Sequence, residues 1–252
     1  MTQPHAVLVT GGARRLGAAM AGVCAKAGMD VAIHYRTAGP ELDETLAALR
    51  ATGVKVVSVP ADLADPAQVP GLIPAAAAAL GRPLTALVNS ASIFEWDDIA
   101  SLTAERMLAH YLPNTIAPAL LSQALLAQLP DGVTGAIVNI LDQKLASPHG
   151  DHLSYTLSKY ALMGLGEALA RAGAPRLRVN AVAPGYILPA PGQSQEEFER
   201  LHAQNPLFTG PGAEDVARAC LYLLQSDVTT GQTLYVDAGL RFAGLGRDIS
   251  FY

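Results

Sequence analysis

The sequence predicts one α/β domain, a doubly wound parallel sheet of about seven strands with helices on both faces. Three observations lead there. Short runs that are apolar almost throughout, and rich in β-branched residues, recur along all 252 residues, and such runs belong to strands buried on both faces. Each is followed by a stretch with helical periodicity, the alternation that builds a parallel sheet through crossover helices. Half of the residues are apolar, enough for a sizeable core, and no linker or repeat divides the chain, so residues 1–252 are read as one domain.

The elements follow in order. Ala6-Val7-Leu8-Val9 is a strand, Thr10-Gly11-Gly12 a glycine turn, and a helical pattern runs from about Leu16 to Ala27. Strand, glycine turn and helix open a Rossmann-type dinucleotide-binding unit, in which backbone N–H groups and the helix dipole face a pyrophosphate. A strand at Val31 to Tyr35, a helix at about Pro40 to Thr52, a strand at Val54 to Val59 and a helix at about Pro66 to Leu80 come next, the alanine run Ala75 to Ala79 lying inside the last. Thr85 to Val88 is a strand, about Ala104 to Leu129 one long helix, and Ala136 to Ile140 a strand. A helix then covers 154 to 172, a strand Arg178 to Val182, a helix about Ala213 to Gln225 and a last strand Thr233 to Val236. The looser stretch between, 183–212, suits a mobile lid over a ligand. Ligands of such sheets bind beyond the carboxyl ends of the strands, where Gly11, Arg36, Asp62, Asn89, Asp142 and Gly185 fall.

Composition excludes several classes. A net charge of −5 without a basic run argues against nucleic acid as a partner. No long uncharged apolar run reads as a membrane span, and Met1-Thr2-Gln3-Pro4-His5 has no leader-like character. Cys24 and Cys220 sit in apolar helical patterns without metal spacing, so buried free thiols, no metal and a reducing, cytoplasmic setting are expected.

The stretch with chemistry in it is Ser154-Tyr155-Thr156-Leu157-Ser158-Lys159. Residues four apart share a helix face, so Tyr155 and Lys159 can point into one cleft. A tyrosine hydroxyl titrating near ~10 is a poor acid or base at neutral pH, and a fixed ammonium favours its ionised form. At roughly 4 Å and an effective dielectric of about 20 the attraction is on the order of 4 kcal/mol, so Lys159 is expected to lower the tyrosine pKa.

With these motifs the whole chain resembles the short-chain dehydrogenase/reductases, and several departures are similar to the pteridine reductase and dihydromonapterin reductase branch. In Thr10-Gly11-Gly12-Ala13-Arg14-Arg15-Leu16-Gly17 the middle glycine of the family turn is Arg15; in that branch this arginine faces both the cofactor phosphates and the substrate. Asn89-Ser90-Ala91-Ser92 stands for the family's Asn-Asn-Ala-Gly, and the resemblance implies that Ser92 bonds a pterin ring while Phe94 stacks on it, offset stacking being worth about 0.5–1.5 kcal/mol beyond burial. Where most of the family has a serine, Asn139-Ile140-Leu141-Asp142 places an aspartate, thirteen residues before the tyrosine. A carboxyl there suits a C=N acceptor, which takes hydride at carbon and needs a proton at nitrogen.

The second strand ends His34-Tyr35-Arg36-Thr37 without the acid that binds the ribose hydroxyls of NAD, so Arg36, Thr37 and Arg14 favour NADP(H). The resemblance further implies adenine contacts from Asp62 and Leu63, a ribose-side contact from Asn89, a nicotinamide turn at Pro184-Gly185 with Ile187 beyond it, and a water relay from Asn114 to Lys159. His149, His152 and Trp96 are candidates for the substrate rim. The Tyr155 helix is apolar or small nearly all round, including Gly164, Gly166 and Ala168, which implies a partner helix and a homo-oligomer, a tetramer by family habit. The tail after Gly239 either packs across that interface or stays loose.

The expected activity is NADPH-dependent reduction of a dihydropteridine-like C=N bond, with Tyr155 and Asp142 supplying protons and a small molecule as substrate. The alternatives are a general carbonyl reductase, for which Tyr155 alone suffices, and a dinucleotide-binding regulatory protein without turnover.

Overall fold

The computed structural model describes residues 5–189 and 192–252; Met1–Pro4, on which the leader expectation bears, and Ala190 and Pro191 of the expected lid lie outside the described residues. Seven parallel strands form one sheet: β1 Ala6–Val9, β2 Asp30–Tyr35, β3 Val56–Pro60, β4 Ala86–Asn89, β5 Gly135–Ile140, β6 Leu177–Pro184 and β7 Thr233–Val236, in the order β3-β2-β1-β4-β5-β6-β7. The order reverses between β1 and β4, and the crevice opens at their carboxyl ends, where Val9 stands beside Val88.

Alternation along β1 explains why both faces must be covered. Val7 and Val9 join one core with α1 (Arg15–Lys26), α2 (Pro40–Arg50) and α8 (Ala213–Gln225), through Met20, Leu46 and Leu223. Leu8 joins the opposite core with α3 (Leu72–Leu80) and α5 (Ala117–Gln128), through Ile73, Leu121 and Leu125.

Two expected helices differ in extent, and proline explains both. The helix expected from Pro66 begins as a 3₁₀ turn at Val69–Gly71 before α3, since Pro66 and Pro70 donate no hydrogen bond. The helix expected over 104–129 is broken into α4 (Ala104–Tyr111) and α5 by a π-helical turn at Leu112–Ile116, where Pro113 interrupts the ladder. The wide turn carries Asn114 into the interior.

Among the described residues no helix is long and apolar enough to cross a membrane, and no group of acids, histidines and cysteines could hold a metal ion. Both cysteines are free and buried; burial pushes the Cys24 thiol up to about 12 and the Cys220 thiol upward as well, so neither is reactive. Gly164 and Ala168 of α6 (Leu153–Ala172) lie exposed on its outer face.

Candidate active site

The glycine turn is held from three sides. Thr10 Oγ1 accepts the backbone N–H groups of Ser90 and Ala91 at 2.9 and 3.0 Å, tying the turn to the segment after β4. The buried His34 accepts the Gly11 N–H at Nδ1 (3.2 Å), and its Nε2 lies 3.0 Å from the Ala61 carbonyl after β3. This arrangement requires the neutral ring protonated at Nε2, and burial lowers the imidazole pKa accordingly. At Gly17 a Cβ would stand 2.1 Å from the Gly11 carbonyl oxygen, so no larger residue lets α1 approach the turn.

The amino terminus of α1 is charged in an unusual sense. It has no side-chain cap and no acid in its first turn, whereas Arg14 and Arg15 add positive charge where the helix dipole is already positive. Such an end is short of an anion. Arg15 has φ +52°, so it keeps the left-handed backbone of the glycine it replaces in the motif. In front lies a cavity of about 590 Å³. Gly11, Arg14, Arg15, Leu16 and Gly17 line it from the turn, Tyr35, Arg36 and Thr37 from the end of β2, and Asp62 and Leu63 from the end of β3. Ser90, Ala91 and Ser92 close its inner side. Arg36 and Thr37 are exposed with no acid directly after β2, and Glu41, which also lines the cavity, lies 3.7 Å from Arg14. These residues fit a dinucleotide bearing a 2′-phosphate: Arg14, Arg36 and Thr37 would hold that phosphate, and the α1 terminus the pyrophosphate.

Other cofactor positions stand apart from this cavity. Asn89, expected on the ribose side, is buried, its amide donating to Asn139 Oδ1 at 2.8 Å while its own Oδ1 has no hydrogen-bond partner. Pro184 closes β6 instead of beginning a turn. Gly185 donates to the Val236 carbonyl at 2.9 Å, and a Cβ on it would lie 2.8 Å from the Asp237 Cα. Ile187 packs on the core beneath α8.

The tyrosine corner is assembled as the spacing on α6 implies, with different electrostatics. Tyr155 and Lys159 are both buried on one face. The Tyr155 hydroxyl donates to Asp142 Oδ2 at 2.9 Å, and Asp142 Oδ1 accepts the Lys144 N–H at 2.8 Å, capping a 3₁₀ turn at Gln143–Ala146. Lys159 Nζ donates to the Ile140 carbonyl at 2.8 Å and lies 5.5 Å from the centre of the tyrosine ring. The expected lowering of the phenol pKa is therefore not what this geometry produces. Burial, followed by the charge and acceptor bond of Asp142, pushes Tyr155 well above 10; burial also raises Asp142 and lowers Lys159 to about 8. All three shifts reduce charge in a dry corner.

Asn114 stands at this corner, bonded within the chain to the segment after β4 and to α6. Its Oδ1 accepts the Ile93 N–H (2.8 Å), and its Nδ2 donates to the Ile93 carbonyl and to Ser158 Oγ (3.0 Å each). It clamps the segment carrying Ser92 and Phe94 onto α6. Phe94, 52% exposed, stacks on His152 at 3.9 Å and meets the Tyr155 ring edge-on at 4.7 Å. It is thus a half-exposed lid on the tyrosine, leaving Tyr155 7% exposed. The Ser92 hydroxyl donates to the Ile93 carbonyl at 3.3 Å and faces the cavity. Trp96 is exposed at the rim, its carbonyl held by Arg106.

With this geometry in place, comparison with known proteins is decisive at the family level. Residues 11–241 match the family model described as enoyl-(acyl carrier protein) reductase. The chain belongs to the short-chain dehydrogenase/reductase family. An uncharacterized oxidoreductase of Methylorubrum extorquens is 32% identical, the match covering 93% of this chain and 96% of that one. The 3-oxoacyl-[acyl-carrier-protein] reductase FabG of Staphylococcus aureus is 28% identical over 95% and 99%. Among solved structures, FolM alternative dihydrofolate reductase 1 of Brucella canis, complexed with NADP, superposes with a TM-score of 0.88 at 35% identity and 94% coverage of both chains.

Several residues that shape this family site escaped the sequence reading. His34 was legible only as a polar residue inside an apolar strand. Buried Asp97 accepts the Ser154 N–H at 3.0 Å and serves α6 as a cap from a distant loop, since His152, at φ +52°, offers none. No local signal marks such a long-range cap.

Proposed function

We propose that this short-chain dehydrogenase/reductase is an NADPH-dependent reductase of a dihydropteridine-like C=N bond. When bound, NADPH supplies the hydride. The observation that carries the reading is the 2.9 Å bond between the Tyr155 hydroxyl and Asp142. Reduction of C=N leaves a nitrogen that must take up a proton, and a phenol and a carboxyl that both hold protons above their usual range suit a donor pair. Tyr155 stands nearer the ring system, Asp142 recharges it, and Asn114 fixes the Ile93 backbone so that Ser92 and Phe94 present a hydroxyl and an aromatic face to a flat heterocycle. Arg15 joins the dinucleotide end to the substrate end. Similarity to the Brucella FolM enzyme supports the same substrate class.

A general carbonyl reductase is the competing reading, favoured by similarity to FabG. Asp142→Ser separates the two. NADPH oxidation with a dihydropteridine should fall by roughly a hundredfold or more if the carboxyl relays the proton, whereas a keto-reductase would keep its activity with serine at that position. The reading also includes a homo-oligomer, in which exposed Gly164 and Ala168 meet a second α6; light scattering giving the mass of a single chain would remove that part.

A further inference from the structure

The cavity in front of the glycine turn is lined by cations at its outer end, yet two acids face it as well, Glu41 and Asp62. Their settings differ. Asp62 stands after β3, where its Oδ1 accepts the Ala64 N–H at 2.9 Å in a local turn. Glu41 belongs to the first turn of α2, a helix without a side-chain cap, and its carboxylate reaches back over the loop that follows β2. Its Oε2 is 3.6 Å from the place that a Cβ on Gly39 would take, and its Oε1 is 3.7 Å from Arg14 Nη1. Thr45 Oγ1 donates to the Ala13 carbonyl at 2.8 Å and so fastens α2 to the glycine turn, keeping Glu41 beside the residues that line the cavity. No segment from the far end of the chain intrudes. Leu201 of α7 (Gln195–His202) forms a small core of its own with Leu240 and Ile249, the Asp248 N–H ties the tail to Asp151 Oδ2 at 2.9 Å, and neither α7 nor the tail lines this cavity.

The carboxylate that is absent from the end of β2 is thus supplied from α2. A carboxylate accepts the paired hydroxyls of a ribose, the contact that selects NAD(H). Beside a 2′-phosphate the same group is a like charge, and it engages a cation that the phosphate needs. The Arg14–Glu41 pair is open to solvent, its side chains 66% and 58% exposed, so it is weak and exchangeable. An arriving phosphate can take Arg14 from it, whereas an unphosphorylated ribose leaves the pair intact.

We propose that Glu41 is a coenzyme-selecting residue, accepting the adenosine ribose hydroxyls of NAD(H) and opposing the 2′-phosphate of NADP(H), so that the same cavity takes both coenzymes. Arg14, Arg36 and Thr37 favour the phosphorylated one, and Glu41 narrows that preference. The inference concerns the coenzyme end of the site and is independent of which double bond is reduced.

The test is calorimetric titration of the full chain with NADPH and with NADH, for wild type, Glu41→Gln and Glu41→Lys. Along this series of increasing charge the Kd for NADPH should fall, by roughly threefold to tenfold at Glu41→Gln, while the Kd for NADH rises by a similar factor. The gain in NADPH affinity over wild type should shrink between about 0.01 M and about 1 M salt, since screening removes a like-charge effect and leaves a packing effect in place. Glu41→Lys puts a cation at the positive end of α2; should it lower Tm, Glu41→Gln at unaltered Tm decides. Both coenzymes moving in the same direction would make Glu41 a mere support of α2 and overturn the proposal. So would Kd values within about twofold of wild type for both, a gain that salt does not reduce, or a wild type that takes up NADPH but no NADH at about 1 mM. A wild type that binds neither coenzyme removes the cradle and this inference together.

Discussion

Arg15 gives the sharpest test of the nucleotide cradle, because stability and binding should respond to it with opposite signs. Its φ of +52° places an L-residue in the left-handed region, at about 1–2 kcal/mol, and its charge stands at the uncapped end of α1, where a cation is unfavourable by about 0.3–1 kcal/mol. Arg15→Gly removes both terms and returns about 0.5–1 kcal/mol to the unfolded chain through glycine's larger entropy. The net is a gain on the order of 1 kcal/mol, or about 2–4 °C in Tm for a chain of this size. Arg15→Ala removes the charge but keeps the strain, so the difference between the two variants isolates the backbone term. NADPH affinity should fall roughly tenfold to a hundredfold in both, the value of a charge-assisted bond. Calorimetric unfolding without ligand and titration with NADPH measure the two effects. A ligand-free Arg15→Gly protein that melts below wild type would show that the arginine side chain supports the turn, and affinity within twofold of wild type would remove Arg15 from the cradle.

Two further outcomes follow from buried polar groups. His34 has its pKa lowered chiefly by burial, so the unfolded chain takes the proton first: stability is whole above about 6.5 and declines as pH falls through 6.5 towards the folded pKa. Denaturant unfolding of His34→Gln between pH 7 and 5 should have a shallower acid slope by up to about 1.4 kcal/mol per pH unit, and NADPH binding by the wild type should weaken over the same interval as Gly11 loses its acceptor; identical slopes in both proteins would refute the role. Asp97→Ala strips α6 of its remote cap and leaves the buried Ser154 hydroxyl unpaired, which should cost about 2–4 kcal/mol in urea unfolding; a loss below about 0.5 kcal/mol would mean that water replaces the carboxylate.

What was legible in the sequence followed from local physics. The apolar runs became the seven strands and the four-residue spacing put Tyr155 beside Lys159, because both patterns are set by backbone geometry alone. Proline chemistry was present in the sequence at Pro113 but was outweighed by the apolar periodicity on either side, and the π-helical turn was missed. The bond from Asn114 to Ile93, the Asp97 cap and the folding-back of the tail join residues far apart in the chain, where no periodicity reports on contact. Arg15 was read correctly as a departure from glycine, while its retained left-handed backbone emerged only with the dihedral angle.

The sign of the tyrosine shift bears most on direction of catalysis. A lysine four residues away was expected to favour phenolate, on Coulomb attraction considered alone. In the folded chain Lys159 spends a bond on the Ile140 carbonyl, and desolvation, the larger effect, acts on phenol and ammonium alike. A phenol held well above 10 keeps its proton at neutral pH, as a donor must. An alcohol-oxidising enzyme needs the same oxygen as a base, and a neighbouring carboxylate works against that state, whereas the serine usual in the family carries no charge. In the proposed reading Asp142 would favour the protonated phenol, alongside a second strand that ends in Arg36 and Thr37 and suits the phosphorylated dinucleotide. Under the proposed reading, the two ends of the site, built on different strands, would contribute to reduction separately.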